Sequence, residues 1–490
     1  MNPNPSRRRI DLVRIATETM LERGLEPEFP AAVHRQLAAL EVVDQAAETG
    51  VQDLRALPWC SIDNDDSRDL DQLTACEPLA DGAVRLYVAV ADVDVLVLKD
   101  SPIDQHAGFN TTSVYTAARI FPMLPERLGT DLTSLNPGRD RLAVVTQMVV
   151  AADATLSHST VSRARVHNQA KLAYDAVSAW IDGAAALPEA ATAVPGLERQ
   201  LRIQDDVAQR LRARRRTEGA LEFETLQPRA VYEGERVVEI RQQVQNRARQ
   251  LIEELMIATN RCTARFLAKS GSASLRRVVR SPERWARIVD EARKYGDSLP
   301  KEPDSRAREL FLAKRRKADP LRFPDLSLVI VKLMGSGEYV VEQPGAVAIG
   351  HFGLALRDYT HSTAPNRRFP DLITSRMLKA VLTAGPAPYS VAELGALAVH
   401  CSQQEDAAQK VERKLRKCEA ALLLESHIGQ RFDAIVTGRN DNHTWVRIFT
   451  PPVEGKLIGH GPELEIGQRV RVKLVETDVE RGFIDFGLID

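Results

Sequence analysis

A chain of 490 residues, 44% hydrophobic and 27% charged, is long enough for two to four domains and too apolar for disorder over most of its length. Its 66 Lys+Arg against 67 Asp+Glu leave a formal net charge of −1, so a nucleic-acid reading must rest on how charge is distributed. Five scattered cysteines without a C-x-x-C pair argue against a disulfide frame or zinc site, and no run nears the roughly 18 apolar residues of a membrane span. A soluble cytoplasmic protein without membrane contact is expected.

In chain order, residues 10–50 read as helical. Leu12, Ile15, Ala16, Met20 and Leu21 fall at helical spacing, as do Val33, Leu37 and Leu40 after Pro30. A small helical domain over 1–55 is predicted, with a helix-turn-helix-like arrangement as one option. Phe29 is the only aromatic residue before Trp59, which makes a base-stacking barrel a poor fit there. Arg7–Arg9 and Arg14 suggest electrostatic contact with nucleic acid instead.

Strands and helices then mix over 56–425. Val84–Val90 and Leu142–Val150 read as strands, and the Ala- and Pro-rich 185–196 as a loop or insertion. Leu197, Leu201, Ala208 and Leu211 mark a basic amphipathic helix. Leu251, Leu255, Ala258, Cys262 and Phe266 mark another, stopped by Gly271. Asp371–Leu382 and Gln404–Leu424 are further helices. From Gly429 the short strands Phe432–Val436, Trp445–Phe449, Val470–Val475 and Phe483–Phe486 have the rhythm of a five-stranded OB barrel over 426–490. The predicted fold class is α+β multidomain: helical N-terminal domain, mixed α/β central domain, C-terminal β-barrel.

Charge is uneven along this chain. Base clusters at Arg210–Arg216, Arg276–Arg287, Arg306–Lys317 and Arg367–Arg368, any one of which is by default a solvated helix face. Acid gathers at Asp63, Asp65, Asp66, Asp69 and Asp71, all within nine positions. Unpaired carboxylates so crowded raise one another's pKa, and a hard cation on oxygen ligands relieves the conflict. An EF-hand calcium loop needs Gly at its sixth place and Glu at its twelfth, where this chain has Arg68 and Thr74. The plain alternative is a solvated acidic loop, but the flanking Trp59, Ile62, Leu70 and Leu73 argue for one held against a core.

Asp63-x5-Asp69-x-Asp71 resembles the signature of the ribonuclease II / ribonuclease R (RNB) family of processive 3′-to-5′ exoribonucleases. Three further stretches resemble the same family in the same order: Val88-Ala-Val-Ala-Asp-Val, Phe121-Pro-Met-Leu-Pro with Ser134-Leu-Asn-Pro, and Tyr359-Thr-His-Ser-Thr-Ala-Pro-Asn-Arg-Arg-Phe-Pro-Asp-Leu. The last 65 or so residues are similar to an S1 RNA-binding domain, through Gly429, Phe432, Trp445-Val, Val453-Glu-Gly and Val470-Arg-Val. The resemblance implies Mg²⁺, as one or two ions with Mn²⁺ able to substitute, held by Asp63, Asp69 and Asp71. Asp71 would be the carboxylate most essential to chemistry. It also implies that Arg367, with Arg368 as the lesser candidate, meets the scissile phosphate; that Tyr115 stacks on the terminal base; that Phe223 clamps the RNA upstream; and that Glu412 lies near the 3′ end. Single-stranded RNA is the implied partner, nucleoside 5′-monophosphates the product, and a monomer the working state.

The chain departs from the family pattern at two places. Gln72 stands where a fourth carboxylate is usual; its amide oxygen can ligate Mg²⁺ but brings no charge. Asp65 or Asp66 could compensate. The N-terminal 55 or so residues are helical, where bacterial relatives often carry two cold-shock barrels. Two other functions therefore stay open: an RNA-binding protein that keeps the fold without catalysis, and a phosphodiesterase indifferent to the 2′-hydroxyl. Asp92 is a candidate for the acidic centre or a plain strand-end residue. His361, Glu253 and Glu254 are read as structural.

Overall fold

A computed structural model describes residues 9–40, 50–221, 227–234, 236–243, 245–320, 322–439, 443–459 and 464–489. It is α+β, with a mixed sheet and helices preceding a closed β-barrel, as the sequence pattern predicts. The central sheet runs in the order Val51–Asp53, Leu156–Ala173, Trp59–Asp63, Gln72–Pro78, Val84–Ala91, Asp140–Val150. Its long strand Leu156–Ala173 also pairs antiparallel with Asp140–Val150, so the sheet curls back on itself. Val161, Ala164, Val166, Ala170 and Leu172 of that strand are buried, mostly at the two-residue period of a pleated strand with one face on a core.

Helix Arg247–Lys269 buries Leu251, Leu255, Ala258 and Cys262 against this sheet. The Asn246 side chain caps it by accepting from the Arg249 amide, and Gly271, at φ 73°, follows its end. The 185–196 segment holds a short helix, Glu189–Thr192. The helix expected from Gln404 starts earlier, at Val391, where Ser390 and Glu393 form a capping box. It runs 34 residues to Leu424, about 51 Å at 1.5 Å per residue. Leu394, Ala398 and Cys401 at its start join the core around the sheet; Val411, Leu415 and Cys418 join the core that contains the barrel. One helix thus ties the two regions together.

The barrel closes in the order Arg431–Arg439, Thr444–Ile448, Glu454–Ile458, Phe483–Ile489, Arg469–Asp478. The third of these strands was not among the four expected segments. Gly455 lies within it, where a Cβ would meet the Ile484 carbonyl at 2.6 Å and the Phe486 ring at 2.6 Å. Close backbone approach, rather than apolar alternation, makes this strand. At the other end of the chain, helices Arg9–Glu22 and Ala31–Ala39 are present. Their buried residues divide between the two cores: Leu12, Ile15 and Met20 pack with the barrel and the long helix, Val33 with the sheet. No helix among the described residues is long and apolar enough to cross a membrane. All five cysteines are buried and unpaired.

Candidate active site

The acidic stretch is a loop between two strands, and each stretch that singled it out in the sequence braces it. Asp63 ends strand Trp59–Asp63, and Asp71 directly precedes strand Gln72–Pro78. The Ser134 hydroxyl accepts from the Leu70 amide at 2.9 Å and lies 2.9 Å from the Arg68 carbonyl. The Leu135 amide donates to the Leu70 carbonyl. Strand Val84–Ala91 pairs with Gln72–Pro78 and sends the Ala91 amide to the Asp71 carbonyl at 2.9 Å. This bracing turns Asp71 inward, where it is 4% exposed, while Asp65 and Asp66 face water.

The arginine motif arrives from 295 residues away, with the Asn366 amide donating to Asp71 Oδ1 at 3.0 Å. The Asn366 side chain in turn accepts from the Thr133 hydroxyl at 2.6 Å. Arg367 Nε lies 3.9 Å from Asp71 Oδ2, and its side chain is 43% exposed, so the guanidinium can meet a substrate. Arg368 turns the opposite way. It donates to Asp371 Oδ1 at 2.7 Å within the core, and the same oxygen accepts the Thr363 and Ala364 amides at 2.8 and 2.9 Å. Asp371, fully buried in the first turn of helix Phe369–Leu382, thus staples the arginine loop to its helix. Burial lowers, and Asp371 then more than restores, the proton affinity of Arg368, which ends above its ordinary value.

Tyr115 stands over the same centre at 40% exposure. Its amide donates to Glu412 Oε1 of the long helix at 3.0 Å. Burial pushes its phenol up to about 12, with Arg367 opposing and the Asp69 and Asp71 charges adding to the rise. Burial likewise raises Glu412, offset by the Tyr115 amide. Asp63, Asp69, Asp71, Arg367 and Tyr115 therefore share one electrostatic neighbourhood, to which Glu412 is joined through the Tyr115 amide. Phe223 lies outside the described residues. Gln72 is partly buried in its strand, paired with Val90.

Burial is the main cause that lifts Asp71 to about 7, with Arg367 and the Asn366 amide opposing it and Asp69 adding to it. Burial and the nearby Asp63 charge raise Asp69. An all-oxygen donor set in which Asp69 and Asp71 are driven toward protonation fits a hard divalent cation. Among the described residues, however, no three His, Cys, Asp or Glu side chains converge closely enough to hold a metal by themselves.

Two side chains that sequence reasoning passed over line the Asp63 side. The Arg249 guanidinium sits 4.4 Å over the Tyr174 ring and donates to Asn64 Oδ1 at 2.8 Å. Burial raises the Tyr174 phenol, and the Asp63 charge adds to the rise. No sequence signal marks it, because Tyr174 arrives through register: Asp63 pairs with Ala173, the residue before it. Asp92 gives both carboxylate oxygens to cations, Arg163 at 3.3 Å and Lys379 at 2.9 Å. His361 hydrogen-bonds Tyr339 at 2.8 Å within an aromatic cluster, and buried Glu254 pairs with Arg215.

The RNB domain model matches residues 51–384, and that of the RNase II-type exonuclease C-terminal S1 domain matches 430–489. Ribonuclease R of Vibrio cholerae is 32% identical over 508 residues, covering 94% of this chain and 60% of that protein. The chain thus spans about 60% of the length of such curated relatives. Mycoplasma genitalium RNase R, solved in complex with ribose-methylated single-stranded RNA, shares the fold at TM-score 0.88 and 22% identity, over 98% of this chain and 78% of that one. Yeast Ssd1, described as a pseudonuclease, shares it at TM-score 0.70 and 15% identity, over 94% of this chain and 57% of that one.

Proposed function

The chain belongs to the RNB family, and from that premise we propose that it is a processive, Mg²⁺-dependent 3′-to-5′ exoribonuclease acting on single-stranded RNA in the cytoplasm as a monomer. The observation that supports the reading is that Asp71, Arg367 and Tyr115, drawn from three remote stretches, interact at one half-buried centre, with Glu412 of a fourth stretch holding the Tyr115 backbone.

Each group has work that its surroundings suit. Asp63, Asp69, Asp71 and Gln72 would hold the cation, which supplies Lewis acidity for phosphodiester hydrolysis when bound. Arg367, half exposed and steered by its loop, can form paired hydrogen bonds to the scissile phosphate and follow charge as it develops. Tyr115 offers a ring on which any base can stack, which suits an enzyme without sequence preference. Glu412 holds the Tyr115 backbone and would line the place of the terminal nucleotide. Arg368 supports the arginine loop from below rather than touching substrate.

Matched RNA and DNA oligomers, each labelled at either end, test the direction and the sugar preference together. The reading expects RNA alone to be shortened, and from its 3′ end. Equal attack on DNA would point to an oligonucleotide phosphodiesterase. RNA binding without shortening would point to a non-catalytic relative, the alternative that Gln72 raises.

A further inference from the structure

The N-terminal helix does something other than present free arginines to nucleic acid. Arg9 Nε donates to the Ala118 carbonyl at 2.8 Å, and its guanidinium lies 5.3 Å over the Tyr232 ring. Arg14 pairs with Glu18 and with Glu480 in the turn between the last two barrel strands. Arg7 and Arg8 lie outside the described residues. The helix touches three parts of the molecule at once: the barrel, the long helix and the loop that carries Tyr115.

That loop is gripped from both sides. The long helix presents Glu412 and Glu419 one heptad apart, hence on one face. Glu412 takes the Tyr115 amide. Glu419, 2% exposed, takes the Tyr232 hydroxyl at 3.3 Å, and the Ala117 and Ala118 amides also favour its charged form. From the N-terminal side, Arg119 pairs with Glu28 at 2.7 Å. Asn110, just before the loop, exchanges hydrogen bonds with the Glu26 backbone at 2.8 Å each way. Val114, Ala118 and Phe121 are buried in the same core as Leu12, Ile15 and Met20. The loop is therefore held in this core by the N-terminal helix on one side and the long helix on the other.

We propose that Arg9 and Glu419 are positioning residues for the tyrosine loop Thr112–Phe121, and that the N-terminal helix is a strap holding Tyr115 over the terminal nucleotide. This rests on the reading of Tyr115 as the base-stacking residue. Neither Arg9 nor Glu419 meets substrate; each sets the backbone from which the ring projects. The consequence is specific: loosening the strap acts on substrate capture through Tyr115 and leaves the hydrolytic step at Asp71 and Arg367 unchanged.

A double-mutant cycle on the full chain tests this, with steady-state kinetics on a short fluorescent RNA well below the unfolding temperature. Arg9→Ala is expected to raise KM about tenfold and to change kcat less than about twofold, the weight of one lost charge-assisted hydrogen bond acting on capture alone. Arg9→Lys can still reach the Ala118 carbonyl and is expected to recover most of the loss. In a Tyr115→Ala background, Arg9→Ala is expected to add nothing further. Should Arg9→Ala fail to fold, Tyr232→Leu removes the ring beneath the guanidinium and enters the same cycle. Additive effects on KM, or an unchanged KM in Arg9→Ala, would overturn the proposal. A wild-type chain that shortens no RNA overturns the functional reading instead, and Tyr115→Ala with wild-type KM overturns the Tyr115 assignment.

Discussion

Asp371→Asn removes the charge that pairs with the buried Arg368 guanidinium and weakens its hold on two backbone amides of the arginine loop. The structure sets the magnitude. Arg368 donates to Asp371 at 2.7 Å with Asp371 fully buried, so the substitution leaves a cation only 19% exposed without its counter-charge at the edge of the core. Breaking one side of such a pair costs about 3–5 kcal/mol. With a urea slope of about 2–3 kcal/mol/M, the midpoint should fall by about 1–2.5 M. Arg367 sits four residues before Asp371 and takes its position from the same loop, so turnover should fall together with stability. The double variant Arg368→Met, Asp371→Leu separates the two effects. Replacing both charges by apolar groups removes the unpaired charge, but the buried Thr363 and Ala364 amides then lose their acceptor, so only part of the stability should return while activity stays low. Urea melts and single-turnover RNA cleavage on the three proteins make the test. An Asp371→Asn protein with the wild-type midpoint and wild-type turnover would refute the reasoning.

Three further outcomes are expected. Burial lifts Glu419 to about 7 from the ordinary 4.5, so its folded form binds a proton more tightly than the unfolded chain does. That contribution is fully present below pH 4.5 and is lost as pH rises through about 7; the difference is about 3 kcal/mol across the window. Glu419→Gln should flatten this part of the stability profile, read as urea midpoints at acid and alkaline pH. Tyr115→Phe keeps the stacking ring and should retain wild-type KM, while Tyr115→Ala should raise it by about tenfold to a hundredfold in the same RNA assay. Gln72→Asp adds a charged oxygen to the donor set and should lower the Mg²⁺ concentration for half-maximal activity by about tenfold, measured by Mg²⁺ titration.

The acidic loop was legible because its chemistry is local: five carboxylates in nine positions, with apolar residues either side, announce themselves without any partner. Helices Leu197–Thr217 and Arg247–Lys269 were legible from their 3.6-residue period. What escaped depends on contacts between remote residues. Tyr174 reaches Asp63 only through a parallel strand register, and no periodicity records which strands will pair. Strand Glu454–Ile458 is set by Gly455 fitting beneath Phe486, not by alternation. The early start of the long helix was missed although Ser390 and Glu393 form a capping box that the sequence does display. Arg9 and Arg14 looked like free base in a charged segment, because their partners Ala118 and Glu480 lie more than a hundred residues on. Arg367 and Arg368 are adjacent and alike in sequence, yet one faces the centre and the other the core. Asp371, three residues after Arg368 in the same motif, makes that division.

The central claim is that the Asp63–Asp71 loop, with Arg367 beside it, is the hydrolytic end of an RNA site. The most direct measurement is cleavage of 5′-labelled single-stranded RNA by the wild type and by Asp71→Asn, with Mg²⁺ and with EDTA. The account predicts a descending ladder for the wild type with Mg²⁺, none with EDTA, and none from an Asp71→Asn protein that still binds the RNA. A ladder that persists in Asp71→Asn, or that ignores EDTA, would contradict it.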